Sequence, residues 1–414
     1  MRTVLSPMEY AAYTAAWNRV AHAGLNDLNL DTWAGGRRYL SLAAVSLSAT
    51  EANQLRKVTV QFAKLLDLAV NGILDDPDWW SSLAWPWPAI ELARQEPPFP
   101  SLYGRFDCLL DAQGDWQVIE YNADTPSGGR EASGLEPAIA RLFPGQRPLS
   151  PWLRSRLVNA MCSRIAHHQR PIKLVGVVSS HSWLEDIAQA TWLANLLRHA
   201  GQPTVVGDIT DLACSRGRIT LRGQPIDALY RFYPVERLYR HAIFASLTEA
   251  AIDGTLLVLN GLRGFLAQSK ACLAWLWANR HSLGGSAEEA IERHLPPTVL
   301  ARDADAAGLL PMSVLKHVNG REGDSVVFGR DVTPAMWEER LLEGGYVVQR
   351  AVSSPAVQDV EVDDLNQRVR CVEPRYACVG AFAIGGRFGG CYTRLDGPIT
   401  SGRATYAATL QAHD

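Results

Sequence analysis

Gly104-Arg105-Phe106-Asp107-Cys108-Leu109-Leu110, a glycine at 114, and Trp116-Gln117-Val118-Ile119-Glu120-Tyr121-Asn122 form the stretch on which the reading of this sequence turns. Side chains alternate across a β-strand, so Arg105 and Asp107 share one face of the first run, and Glu120 and Asn122 share one face of the second. A two-residue turn at Gln113-Gly114 sets Asp107 opposite Glu120 and Arg105 opposite Asn122. Two carboxylates then meet, which destabilises a strand pair unless a counter-charge intervenes. A hard cation supplies one: Asp107, Glu120 and Asn122 are oxygen donors of the kind Mg²⁺ accepts while it also binds substrate phosphates. A solvated hairpin face carrying ordinary acids has the same pattern, and a longer loop or a bulge would shift the register.

Downstream, Val314-Leu315-Lys316 delivers a lysine from an apolar strand into Asn319-Gly320-Arg321-Glu322-Gly323. Backbone N–H groups of such a loop can close over phosphate oxygens, with Lys316 and Arg321 adding positive charge. The same residues also make a plain hairpin turn, and no Gly-x-x-x-x-Gly-Lys-Ser/Thr loop occurs in the chain. Lys270, in Gln268-Ser269-Lys270, lies near the start of a helix expected from about Leu266 to Ser282, where its ammonium faces either solvent or a bound anion.

Around these motifs the apolar period divides the chain. Leu55, Val58, Phe62, Leu65, Leu66, Val70 and Ile73 form one helical stripe, with a cap at Ser48 or Thr50. Trp79, Trp80, Trp85 and Trp87 follow among prolines, a composition for irregular aromatic packing. Residues 174–178, 185–199 and 204–206 read as strand, helix, strand of a small parallel α/β layer. After a strand at 256–259 and the helix at 266–282 come short strands with glycine turns, at 314–316, 325–328, 346–352, 379–382 and 390–394. The expected units are a mostly helical segment (1–100), the acidic hairpin with following helices (101–165), a small α/β domain (166–250) and a further part with short strands and glycine turns (251–414).

Composition narrows the functional classes. The 414 residues carry 40 Lys+Arg against 43 Asp+Glu, a formal charge of −3, which disfavours a nucleic-acid partner. At about 150 residues per domain the length suits two or three domains. The longest apolar run, Ala271 to Ala278, falls well short of the roughly 20 residues that span a bilayer, so no membrane partner is expected. No secretory signal is readable after Met1, which makes the cytoplasm the default location. Seven cysteines without a Cys-x-x-Cys pair disfavour a disulfide framework and a zinc ribbon. His167-His168 reads as a surface pair.

Together the motifs resemble the glutathionylspermidine synthase family of circularly permuted ATP-grasp ligases. The most specific match is Arg105-Phe106-Asp107 followed by Glu120-Tyr121-Asn122-Ala123-Asp124-Thr125-Pro126-Ser127. Phe232-Tyr233-Pro234-Val235-Glu236, Gln268-Ser269-Lys270-Ala271, Lys316 to Gly323, Tyr346-Val347-Val348-Gln349 and Gly386-Arg387-Phe388 to Arg394 follow in the family's order. The implied fold class is α/β and α+β, a permuted ATP-grasp with a small pre-ATP-grasp-like α/β domain and an N-terminal helical segment.

By that resemblance ATP and Mg²⁺ are the cofactors. Asp107, Glu120 and Asn122 would hold Mg²⁺, and Arg105 would assist the reacting phosphoryl oxygen. Lys270, Lys316 and the Gly320 to Gly323 loop would grip the phosphates, with Gln349 on the strand bordering adenine. Arg321 and Arg394 would stabilise the acyl phosphate and the intermediate after it, and Ser127 and Glu236 would lie near the two substrates. The partners would be a small carboxylate and an amine, with a homo-oligomer left open.

The chemistry suits the residue types. A carboxylate attacks the γ-phosphate, an amine displaces phosphate from the acyl phosphate, and positioned charge carries both steps without a protein nucleophile. The family's amidase domain has no counterpart in the residues ahead of the hairpin. Pro234-Val235-Glu236 replaces the usual Pro-Trp-Glu-Trp, and Gly128-Gly129-Arg130-Glu131 replaces apolar residues, so the resemblance leaves glutathione and spermidine open as substrates and a different amino acid or peptide pair is the expectation. Two other readings compete: a nucleotide-binding protein without ligase activity, and a phosphotransferase using the same pocket.

Overall fold

The computed structural model describes residues 1–5, 9–30, 32–34, 37–83, 85, 87–96, 101–304, 312–321, 323 and 325–413, the side chains of Ala34 and Pro88 excepted. Its largest sheet has nine strands. The main path runs Arg2–Val4, Leu40–Leu47, Thr405–Ala412, Arg387–Asp396, Arg368–Ile384, Tyr103–Leu110 and Trp116–Asn122. All neighbours on that path are antiparallel except Leu40–Leu47 and Thr405–Ala412, which run parallel. The first hundred residues, mostly helical, thus also supply two strands to the sheet that carries the acidic hairpin.

The long helix Ala49–Asp75 begins where its cap dictates. Ser48 Oγ accepts from Glu51 N at 3.2 Å, and the Glu51 carboxylate accepts from Ser48 N at 2.8 Å, a reciprocal capping box. All seven stripe residues from Leu55 to Ile73 are buried. Each contributes about 1.5–3 kcal/mol by leaving water. They pack on the strands Arg368–Ile384 and Arg387–Asp396 and on the helix Lys270–Leu283. One hydrophobic core runs from Tyr13 through this helix to Leu410.

The small α/β layer is a four-stranded, all-parallel sheet in the order Leu257–Val258, Ala228–Phe232, Val175–Ser179, Thr204–Asp208, with the helix Leu184–His199 as crossover. A separate antiparallel sheet, Thr298–Leu300, Tyr346–Arg350, Ser313–His317 and Val327–Phe328, carries the second lysine.

Two local expectations are corrected. The helix read as continuous over residues 266–282 is two helices, Leu262–Gln268 and Lys270–Leu283, broken at Ser269 (φ −60°, ψ 130°). Ser269 Oγ accepts from Ala271 N at 3.4 Å, so a serine capable of capping interrupts an otherwise apolar period. The turn at Gln113-Gly114 is wider than two residues: Asp111 N donates to Asp115 O at 2.9 Å, and the Asp111 carboxylate accepts from Gln113 N and Asp115 N. Alone that turn would slip the pairing by one residue. A bulge between Asp107 and Cys108 and opposite Ile119 restores it, so Asp107 still faces Glu120 and Arg105 still faces Asn122.

Candidate active site

The acidic hairpin turns its polar face to residues from four other parts of the chain. Arg105 grips Asp107 with two hydrogen bonds, Nε at 2.8 Å and Nη2 at 3.3 Å, and its Nη1 donates to Ser127 O at 2.9 Å. Arg394, two strands away, donates to Asp107 Oδ2 at 2.7 Å, and Asn122 Nδ2 adds a bond at 3.3 Å. Burial alone would raise the Asp107 carboxyl, but Arg105 and Arg394 hold it below its usual value. The guanidinium of Arg105 also lies 5.2 Å from the Tyr392 ring centre.

Glu120 takes a different cation. Lys270 donates to Glu120 Oε1 at 3.0 Å and to Gly320 O at 2.8 Å. As first residue of its helix Lys270 sits where the dipole disfavours an ammonium, and Glu120 offsets that cost. Its own N–H donates to Val318 O at 2.9 Å, tying the helix start to the end of the lysine strand. The opposed carboxylates of the hairpin therefore draw their counter-charges from the protein itself, and the argument that their pairing demands a metal does not hold.

Lys316 is 6% exposed and, among the described residues, forms no ion pair. It donates to Gln349 Oε1 at 2.7 Å and to Ile119 O at 3.3 Å, the carbonyl of the bulged residue. Burial pushes its pKa down to about 8, against the pull of Glu120 and with the help of Lys270. Gln349, expected beside adenine, has both ends of its amide engaged, its nitrogen donating to Thr298 Oγ1 at 3.0 Å.

Arg321 turns toward the small parallel sheet. It donates to both oxygens of Glu236, to Asp124 Oδ2 at 2.7 Å and to Thr125 Oγ1 at 3.0 Å. Asp124 is fully buried and is also bound by Arg231 and by Val235 N at 3.2 Å. Gly323 stands apart, against Thr400; Glu322 lies outside the described residues.

The site residues named from sequence thus converge through hydrogen bonds or chain adjacency, except Gly323. Residues that sequence reading passed over complete the site. Asp124 and Gln268 lay unassigned inside quoted motifs; Gln268 Oε1 accepts from Ala123 N and Asp124 N, both at 3.1 Å. Gly380 has no sequence signal, since only sheet pairing brings it opposite Asp107. Cys378, close by, is buried, and burial and Asp107 push its thiol up to about 11, which favours the thiol over the thiolate.

The donor set suits a metal-bound polyphosphate. Arg105, Arg231, Lys270, Lys316, Arg321 and Arg394 outnumber the carboxylates Asp107, Glu120, Asp124 and Glu236, and of the six only Lys316 forms no ion pair among the described residues. One oxygen of Glu120 and the amide oxygen of Asn122 have no hydrogen-bond donor among the described residues, and both are donors of the Mg²⁺ type.

Acidic donors early in the chain, cationic grips late, and a small parallel sheet between them define a circularly permuted ATP-grasp fold. The chain belongs to the glutathionylspermidine synthase preATP-grasp family, whose model matches residues 12–410. A Haemophilus influenzae protein with the provisional name acid–amine ligase is 28% identical over 275 residues. That match covers 62% of this chain and 64% of the relative, less than two thirds of its length. A glutathione synthetase-like effector of Globodera pallida, solved without ligand, has the same fold: TM-score 0.67 at 12% identity, covering 98% of this chain and 99% of that one. No helix among the described residues is long and apolar enough to cross a membrane.

Proposed function

We propose that the protein is an ATP- and Mg²⁺-dependent carboxylate–amine ligase that forms an amide and releases ADP and phosphate. One observation carries this reading: Lys316 is a buried ammonium with neutral acceptors on two sides and no carboxylate partner among the described residues. Burying an unpaired charge is costly, so an anionic ligand is the expected complement.

In this reading Lys316 and Lys270 hold the polyphosphate, and Arg105 and Arg394 bear on the phosphoryl group as it transfers to the acid. Arg321 exchanges its protein carboxylates for the acyl phosphate, which frees Glu236 for the incoming amine. Mg²⁺ would be held by Glu120, Asn122 and Asp107, and supplies neutralisation of phosphoryl oxygen charge. No group here serves as a nucleophile, because positioning and preorganised charge supply the rate enhancement.

The test is product analysis after incubation with Mg·ATP and pooled acids and amines. ADP formation that requires both an acid and an amine is expected, with loss of turnover in Glu120→Gln and Lys316→Ala while both variants stay folded. AMP as product would overturn the mechanism. A stable phosphorylated acceptor would indicate a phosphotransferase, and tight ATP binding without turnover would indicate a binding protein.

A further inference from the structure

Lys316 is held by a hydrogen-bond chain whose direction is set from both ends. An ammonium only donates, so the Gln349 atom 2.7 Å from Lys316 Nζ is the side-chain oxygen. Gln349 therefore turns its NH₂ toward Thr298 Oγ1, 3.0 Å away. That hydroxyl has one proton, and the Pro296 carbonyl at 2.7 Å can only accept. The Thr298 proton goes to Pro296, which leaves an oxygen lone pair for Gln349.

The geometry of the sheet makes the chain short. Thr298 stands directly opposite Gln349, and Lys316, paired with Val347, lies one diagonal step away on the neighbouring strand. Thr298 is 0% exposed and Gln349 2%, so water offers no substitute partners. The far end is anchored: Pro297 restricts the backbone of Pro296, and Arg350 N donates to Pro297 O at 2.8 Å.

We infer that Thr298 is a positioning residue for nucleotide binding. Its hydroxyl locks the Gln349 amide with oxygen toward Lys316. Two of the three ammonium donors are then spent on Gln349 Oε1 and Ile119 O, and the third is left for an anion. Without the hydroxyl the amide can rotate by a half turn, set NH₂ against the ammonium, and push Lys316 off its position. This inference rests on the reading that Lys316 grips the phosphates of ATP.

The experiment is a double-mutant cycle on the full chain, with Mg·ATP affinity measured by calorimetry without acid or amine. Thr298→Val replaces the hydroxyl by a methyl at equal size; the expected result is an affinity loss of about tenfold. Thr298→Ser is expected to bind as the wild type does. In a Gln349→Leu background, which has no amide to orient, Thr298→Val is expected to cost nothing further. A purely structural role for Thr298 would weaken binding equally in both backgrounds, and that result overturns the inference. Thr298→Ala goes through the same cycle, so that a folding failure of the valine variant leaves the question answerable. Lys316→Ala separates the two claims. Wild-type affinity in Thr298→Val, with affinity lost in Lys316→Ala, removes the positioning role and leaves the nucleotide reading intact. Undiminished affinity in Lys316→Ala removes the nucleotide reading itself.

Discussion

Gly380 lies directly opposite Asp107 and leaves the space through which the stem of Arg105 passes: a Cβ there would sit 2.5 Å from Arg105 Cδ and 2.7 Å from Tyr392 O. The Tyr392 carbonyl belongs to the sheet and cannot yield, so the guanidinium must. Gly380→Ala is expected to lower ligation at least tenfold by displacing Arg105 from Asp107 and Ser127, at a stability cost of about 1–3 kcal/mol. Steady-state kinetics beside thermal unfolding would check it, and normal turnover in a folded variant would remove Arg105 from the reacting centre.

Asp124 joins the hairpin to the small parallel sheet through Arg231 and to the glycine loop through Arg321, with no exposure of its own. Removing a buried charge from between two cations costs about 3–5 kcal/mol. Asp124→Asn is expected to lose that much stability in urea titrations, whereas Arg321→Ala, at a partly exposed side chain, loses far less and instead loses activity. Equal losses of stability in the two variants would contradict Asp124 as the shared anchor.

Burial lowers the Lys316 pKa to about 8 from 10.5. The ammonium of the free protein is therefore lost as pH rises through about 8, and with it the charge that attracts phosphate. ATP affinity is expected to hold below that value and to fall by up to about tenfold per pH unit above it. Binding near pH 8 should take up a proton, since phosphate favours the ammonium. Calorimetry in two buffers of different ionisation enthalpy reads the uptake directly, and a Lys316→Arg variant should lose it.

Glu136 is buried and, among the described residues, forms no ion pair. Burial raises its carboxyl to about 8 from 4.5, against the pull of bonds from Ser150 N at 2.7 Å and Ser150 Oγ at 3.1 Å. Between those two values the folded chain keeps a proton that the unfolded chain releases. Stability is therefore full below about pH 4.5 as far as this group is concerned, and falls as pH rises to about 8, by at most about 1.4 kcal/mol per unit. Denaturation midpoints from pH 5 to 8.5 should show the slope, and Glu136→Gln should flatten it.

Much of the site was legible in the sequence because it is local. Period-two alternation alone puts Asp107, Arg105, Glu120 and Asn122 on shared faces, and the Ser48–Glu51 box starts the long helix where its cap requires. The pairing of Asp107 with Glu120 came from a turn that the structure does not contain. A wider turn and a compensating bulge offset one another, and the bulge leaves the Ile119 carbonyl for Lys316.

Residue identity and spacing by themselves determined the hydrogen-bonding and charge repertoire: acids on an early ribbon, lysines and arginines later, and a fold able to bring them together. Only the tertiary structure decided who pairs with whom. Lys270 neutralises Glu120, Arg394 reaches Asp107, Arg321 is taken by Asp124 and Glu236, and Lys316 is left with an amide and a carbonyl. The physical reason is that alternation and capping depend on neighbours along the chain. Pairing of buried charges depends on distances across strands and helices set by packing of the whole core.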